Sequence, residues 1–587
     1  MNRLPLAAAL LALSLPLFAQ DALTTVAERS GFVRTGRYDE VIALCDAFAA
    51  RYPQAVRCET FGTTPEGRPM KVLVASTSGA FTPEAAAARG LPVTLMQGGI
   101  HAGEIDGKDA GFLALREMLD GKLARGALSR QVFLFVPVFN IDGHERFKAW
   151  NRPNQRGPEE MGWRATAQNL NLNRDYMKAD APEMRAMLAL IERWDPLVYV
   201  DLHVTDGAKF QHDVSIQVEP VNSGDTALRS AGRALRDGTI ADLRRHGGMP
   251  LPFYPSFIRG DDPASGFEDG VSTPRFSTGY MQLRNRMAML VETHSWRPYA
   301  YRVRTTHDAI VSVLQQVATR GVAWQRVAHE ADARASRLAG QPVPLDYKAT
   351  DAFRTIEFKG YAYTRTPSAV SGGLMTRYDE TKPEIWRVPL HDVVVPRTTV
   401  DAPRAGYLVP AAWTAAVLPT LDAHGVRYER IAAPLARVDA QAWRADSITF
   451  TSDSFEGHQR LDASGRWSPA VQSLPVGSVY VPIAQPKARL VMGLLEPQAP
   501  DSVAAWGRTN AAFERKEYME DYVAEEEAEK MLAADPALRA AFEKRVREDA
   551  AFAKSPQQRL DFFYRLHSAW DDRYGLYPVL RVDRDPR

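Results

Sequence analysis

Cysteine is almost missing from this chain: Cys45 and Cys58 are the only two among 587 residues. Neither has the neighbours of a nucleophile, so cysteine-based hydrolysis has no footing. In an oxidising compartment they can pair, or they stand as separate thiols in an N-terminal layer. An excess of one charge is missing too. Lysine and arginine number 72 against 71 aspartate and glutamate, so no overall field draws the chain to nucleic acid or to a membrane surface. There is no Gly-x-Ser-x-Gly elbow, which leaves serine-hydrolase chemistry without its signature. There is no His-Glu-x-x-His helix and no internal repeat. Beyond the first residues, no apolar run is long enough to cross a bilayer.

What is present starts with a leader. Arg3 supplies a short positive region, Leu4 to Phe18 is nearly all apolar, and Ala19 is a small residue suited to cleavage. That core is shorter than the roughly 20 residues of a membrane span, so residues 1–19 read as a secretory signal and the protein as secreted or periplasmic. The rest is of ordinary globular composition, 45% apolar and 24% charged. Its length implies at least two domains.

One stretch organises the chain. Leu91 to Gly98 is a buried strand by pattern, Gly98 and Gly99 stop it, and His101 and Glu104 follow before a helical pattern runs to Leu119. In an open α/β sheet, ligands bind at the carboxyl ends of strands. A His and a Glu three apart in such a loop can aim at one point, which is half of a catalytic zinc site.

In chain order, Tyr38 to Tyr52 reads as a helix, with Val41, Leu44, Cys45 and Phe48 on one face. Val56 to Phe61 and Met70 to Ala75 read as strands about the Thr64–Gly67 turn. Gln131 to Phe139 is a second buried strand, and residues 145–168 are polar and irregular. Asp180 is expected to cap a helix ending near Trp194, with Pro182 in its first turn. Leu197 to Leu202 is a third strand with His203 just beyond it. A helix is expected from Thr226 to Arg245. Met287 to Val291 is another strand with Glu292 at its end, and a helix follows from about His307 towards Arg337. Beyond Gly340 the pattern changes to Pro-rich turns between short strands, a helix from Trp413 to Gly425, and strands at Val426 to Ile431 and Leu474 to Pro482. A charged helical stretch runs from Asn510 to about Arg573.

His101, Glu104, His203 and Glu292 thus stand at strand ends. Two His and one carboxylate leave zinc a position for water, and a further Glu can take that water's proton and pass it to a leaving amine. The alternative for Glu292 is a structural ion pair with Arg284 or Arg286. For Asn173-Arg174 it is an Asx turn and a surface pair.

Taken together, these residues resemble the zinc metallocarboxypeptidases of the carboxypeptidase A type, over roughly residues 30 to 335. The resemblance implies one zinc ion held by His101, Glu104 and His203, with Glu292 as general base. It implies that Asn173 and Arg174 hold the substrate's terminal carboxylate, and that Arg164, in Trp163-Arg164, polarises the scissile carbonyl. Tyr280 is the match, by position alone, for a mobile tyrosine over the site. Asn140-Ile141-Asp142-Gly143 resembles the family's Asn-Pro-Asp-Gly. The chain departs from the pattern at Asn171, where the family has an Asp that orients a zinc-bound His, and at Val204-Thr205, where it has Ser-Tyr. His212 and His294 match no family role.

The expected fold is α/β: a mixed, mostly parallel central sheet with helices on both faces, then a smaller α+β accessory region ending in helices. The expected division is 1–19 signal, 20–338 catalytic domain and 339–587 accessory region. The expected activity is zinc-dependent removal of a residue from the free C-terminus of a peptide, cell-wall peptides among the candidates. A zinc amidase of acyl-amino acids and an inactive peptide-binding module are the competing readings. No nucleic-acid partner and no membrane span are expected.

Overall fold

The structure, a computed structural model, describes residues 22–586; the apolar leader 1–19 lies outside them. Its strands β1 (Val56–Thr63), β2 (Pro69–Ala75), β3 (Val93–Gly98), β4 (Val132–Val136), β5 (Val198–Val204), β6 (Val214–Glu219), β7 (Pro250–Leu251) and β8 (Met287–Thr293) form one sheet. The spatial order is β1-β2-β4-β3-β5-β8-β6-β7. The centre β4-β3-β5-β8 is parallel. The β1-β2, β2-β4 and β8-β6 pairs are antiparallel. Strands covered on both faces need unbroken apolar runs, and β3, β4 and β5 are buried at every position.

Helices cover both faces. On one lie α1 (Tyr38–Arg51), α2 (Asp106–Leu119), α4 (Thr226–Arg245) and α6 (Tyr299–Ala335). On the other lie α3 (Pro182–Trp194) and α5 (Ser277–Leu283), which an ion pair between Glu192 and Arg284 ties together at 3.0 Å. Alternation along β5 shows the division: Leu202 meets Gly107 of α2, whereas Asp201 accepts the hydroxyl of Ser277 in α5. A Cβ at Gly107 would lie 2.7 Å from that of Leu202, so only glycine lets α2 sit this close.

Several elements differ from expectation. His203 and Glu292 are the penultimate residues of β5 and β8, not residues beyond them. The cap position of α3 is Ala181, without a side-chain bond. Asp180 is engaged elsewhere, and Asp175 receives the Asp180 and Ala181 N–H groups at 3.0 and 2.8 Å. Helix α6 begins at Tyr299 because Pro298 sets its start, and its Arg302 is drawn in by Asp106 at 2.9 Å. Cys45 of α1 and Cys58 of β1 form a disulfide, their Cα atoms 5.4 Å apart.

Beyond Gly340 short strands such as Gly406–Val409 and Val479–Pro482 occur beside long ones that were not expected. β9 (Arg354–Pro367) and β10 (Leu374–His391) make one hairpin, which joins the two-residue strand Phe267–Glu268 of the first half. Its prolines and Gly360 resemble turn signals in the sequence. They fit within the strands because an exposed hairpin tolerates proline and because Gly360 lies flat under the Trp386 ring. A six-stranded sheet follows, including β11 (Leu435–Phe450) and β12 (Leu461–Leu474). The strand expected at Val426 to Ile431 shrinks to Glu429–Arg430, and the one expected from Leu474 begins at Val479. Helices occupy Asp521–Ala534, Pro536–Glu548, Ala550–Lys554 and Pro556–Tyr564. Tyr407, Val409, Trp443 and Leu490 belong to the same buried cluster as Val93 to Val291. Among the described residues no helix is long and apolar enough to cross a membrane.

Candidate metal centre

The loop after β3 turns sharply because Gly98 packs on backbone, where a Cβ would lie 2.7 Å from the Pro137 carbonyl oxygen, and because Gly99 has φ of +61°. His101 and Glu104 follow in that loop. His203 enters from the neighbouring strand β5. One ligand atom from each of the three lies within 4.8 Å of the others, so the trio could hold a metal ion. All three are buried.

The ring orientations matter more than the distances. His101 Nδ1 and His203 Nδ1 each lie 2.9 Å from a different oxygen of Glu104. Their Nε2 atoms point outwards to further partners: His101 Nε2 lies 3.1 Å from Asn171 Oδ1, and His203 Nε2 lies 3.0 Å from Asp201 Oδ1. Partners of this kind fix a ligating imidazole's tautomer and orientation. Asn171, the residue that departs from the family pattern, therefore still faces the histidine, with an amide oxygen in place of a carboxylate. Asp201 belongs to no motif of its own, although the spacing Asp201-Leu202-His203 places it on the same strand face as His203. It is held by Gln97 at 2.9 Å and Ser277 at 2.7 Å.

Burial drives the His101 pKa down to about 4, against the pull of Glu104, and so keeps its ring neutral with a lone pair for a metal. Burial also disfavours the charged form of His203, but Asp201, Glu104 and Glu292 outweigh it and hold the ring well above its ordinary value. Glu104 is held far below the usual carboxylate range although buried, because Arg152 and His101 stabilise its charge. Two nitrogens and a carboxylate suit zinc with one position left open.

Glu292 shares the cavity. It is register partner to His203 on one side and to Ser215 on the other. Its Oε2 is buried without a hydrogen-bond partner. Burial, reinforced by Glu104 and Asp206, pushes its carboxyl well above the usual range. The alternative pairing with Arg284 or Arg286 does not form, since those residues bind Glu192 and Asp195. Asn173, Arg164 and Arg174 line the same cavity of about 430 Å³. Arg164 lies 3.4 Å from Glu104. Arg174 stacks 4.4 Å over the Phe276 ring and donates to the Asn173 carbonyl at 2.7 Å. Among the described residues it has no carboxylate within ion-pair distance.

Tyr280 does not reach the cavity. It is fully buried, and its hydroxyl lies 3.0 Å from His424 Nδ1, so it joins the catalytic sheet to the C-terminal region. The tyrosine that does line the cavity is Tyr254, whose hydroxyl donates to Asp206 at 3.0 Å. Arg152 is a further residue the sequence did not single out. It bonds Glu104 at 2.5 Å and the carbonyls of Val204 and Thr205. Nothing in its polar, arginine-rich stretch sets it apart from Arg146 or Arg156. His294 stacks on Phe210 at 3.9 Å, and His212 packs beside Phe358, both outside the cavity lining.

Residues 41–235 match the family model described as zinc carboxypeptidase. That span includes every residue of the trio and Asn171 to Arg174, and it ends before Glu292. The chain is similar to Carboxypeptidase 2 of Trichophyton tonsurans, 25% identical over 429 residues, covering 70% of this chain and 73% of that protein. It is also similar to Carboxypeptidase 2 of Trichophyton rubrum, 24% identical over 462 residues, covering 75% and 78%. Among solved structures it resembles a carboxypeptidase A of Helicoverpa armigera, with 15% identity, a TM-score of 0.35, and coverage of 55% of this chain and 81% of that one.

Proposed function

Because residues 41–235 belong to the zinc carboxypeptidase family, we propose that this metallocarboxypeptidase uses His101, Glu104 and His203 to hold zinc and cleaves the C-terminal peptide bond of peptides. The observation that carries the reading is the buried trio whose two Nδ1 atoms converge on Glu104 while His101 Nε2 faces Asn171 and His203 Nε2 lies 3.0 Å from Asp201. Zinc held there supplies Lewis-acid polarisation and acidifies a water beside it.

The chain's own residues supply the rest. Glu292, with a free carboxylate oxygen in the cavity, takes the water's proton and returns it to the leaving amine. Its raised pKa suits a group that must accept and then release a proton near neutrality. Arg164 and Arg152 line the cavity and would stabilise a carbonyl oxygen as it gains charge. Arg174 and Asn173 receive the terminal carboxylate. A guanidinium that is half-buried without an anion is primed for a two-pronged carboxylate bond. The side chain of the departing residue would lie along Leu290, Gln217 and Phe276, which line the same cavity.

The catalytic unit is residues 20–338 on this reading, with 339–587 accessory to it. The apolar leader would export the protein, and cell-wall peptides are then substrates it would meet. The test compares one peptide with a free C-terminus and with an amidated one. Losing one partner of a buried charged pair typically costs about 2–5 kcal/mol, so the amide should fall in kcat/KM by roughly thirty-fold or more. Arg174→Ala should erase that difference. Equal cleavage of both peptides by the native enzyme would shift the reading to an amidase or an endopeptidase.

A further inference from the structure

The segment that carries Asn171, Asn173 and Arg174 is held from outside the catalytic sheet. The hairpin β11–β12 belongs to the C-terminal region, and its tip reaches back to residues 171–180. At the tip, Phe455 and His458 exchange backbone hydrogen bonds in both directions, which leaves Glu456 and Gly457 at the corner. Both have positive φ, +52° and +79°. A two-residue corner of this kind favours Asn-Gly, and a long side chain at its first position is disfavoured. Glu456 nonetheless occupies that position, and its Oε2 accepts the Asn171 N–H at 2.8 Å.

Asn171 is the relay. Its Oδ1 accepts the Asn173 N–H at 3.0 Å and faces His101 Nε2 at 3.1 Å. The tip is anchored on either side of this bond. His458 Nε2 lies 2.7 Å from Asp180, Arg508 binds the other oxygen of Asp180 at 2.6 Å, and Phe455 stacks on Trp506 with ring centroids 6.0 Å apart. Burial, Arg164 and Arg275 disfavour the charge of Arg174, and Glu456, bonded to the backbone of Asn171 three residues before it, favours that charge.

We propose that Glu456 is a positioning residue of the catalytic site, supplied by the C-terminal region. It holds the Asn171 backbone so that the amide can orient His101, and its charge tempers the cationic subsite around Arg174. The inference rests on the metal and carboxylate roles proposed above. It gives the C-terminal half a part in catalysis that the family match, ending at residue 235, does not contain.

The two parts of the role separate by substitution. Glu456→Gln keeps an oxygen acceptor and loses the charge; Glu456→Ala loses both. The measurements are zinc affinity of the full-length apo-protein, by competition with a fluorescent chelator, and KM and kcat on a peptide with a free C-terminus. Glu456→Ala should weaken zinc binding about tenfold, the lower range for losing an outer partner of a ligand, while Glu456→Gln binds zinc as the native chain does. Both variants should lower KM about threefold, because a negative charge that competes with the substrate carboxylate is gone. Native zinc affinity in Glu456→Ala together with native KM in both overturns the inference and leaves the metal site standing. Equal loss of zinc in both variants with unchanged KM overturns it as well, since Glu456 would then serve docking alone. A native chain that takes up no zinc overturns the metal reading and this inference with it.

Discussion

His203 and Glu292 are direct register partners on adjacent parallel strands. With equal numbers of residues between pleats, their side chains emerge on the same face of the sheet, one step from the strand ends. The same register brings Asp201 beside Leu290 one pleat lower. A ligand, the group that orients it and the proposed base are therefore fixed to one another by backbone hydrogen bonds. They do not depend on the conformation of any loop. His101 and Glu104 arrive from a loop, and the Val204 N–H holds Glu104 in place at 3.0 Å.

Removal of either histidine should empty the site. His101→Ala and His203→Ala are each expected to reduce bound zinc from one per chain to a small fraction and to abolish peptide hydrolysis. Metal analysis of the purified variants measures this. Unchanged stoichiometry in both would take the assignment away.

Glu292→Gln should retain zinc and lose turnover, because an amide cannot accept the proton. A general-base contribution is about a hundred-fold or more, so kcat should fall by at least that factor with metal content unchanged. A variant with near-native kcat would place the base elsewhere.

Asp201→Asn tests the outer partner of His203. The substitution keeps the shape and weakens the acceptor, with Gln97 and Ser277 still in position. Zinc affinity should drop by about ten-fold or more, and the far-ultraviolet circular dichroism spectrum should not change. Native zinc affinity in this variant would reduce Asp201 to a packing role.

Glu183 gives a pH signature away from the site. It lies buried at the start of α3 with both oxygens lacking a hydrogen-bond partner, and burial raises its carboxyl to about 7. The folded state then holds a proton that the unfolded chain releases at about pH 4.3. Between about pH 4 and 7 the folded state binds more protons than the unfolded one, so this group's contribution to stability falls as pH rises through that window, and the full penalty is present above it. Glu183→Gln should therefore raise Tm by about 2 °C at pH 8 for a chain of this size and change it little at pH 4. An equal shift at both pH values would assign the effect to packing.

Local pattern carried much of this architecture. The apolar runs of β3, β5 and β8, the glycines after β3, and the helices over residues 38–51, 106–119 and 226–245 follow from side-chain period and from residues that end elements. The His101-x-x-Glu104 spacing is likewise local, as is the Asn171 to Arg174 run. These features need only near neighbours in the chain, which is why they can be read from it. What the chain order cannot express is which distant side chains share a face. Position in the sequence singles out Tyr280, yet it is locked against His424, and the tyrosine that faces the cavity is Tyr254. Arg152 reaches Glu104 through an irregular loop with no periodicity to read. The strands beyond Gly340 hide behind proline and glycine because an exposed hairpin accepts residues that an inner strand would not. Glu456 lies 285 residues from Asn171. That contact exists only because the C-terminal sheet and the catalytic sheet bury one continuous core, and hydrophobic burial, being non-directional, leaves no local mark of the partner it will choose.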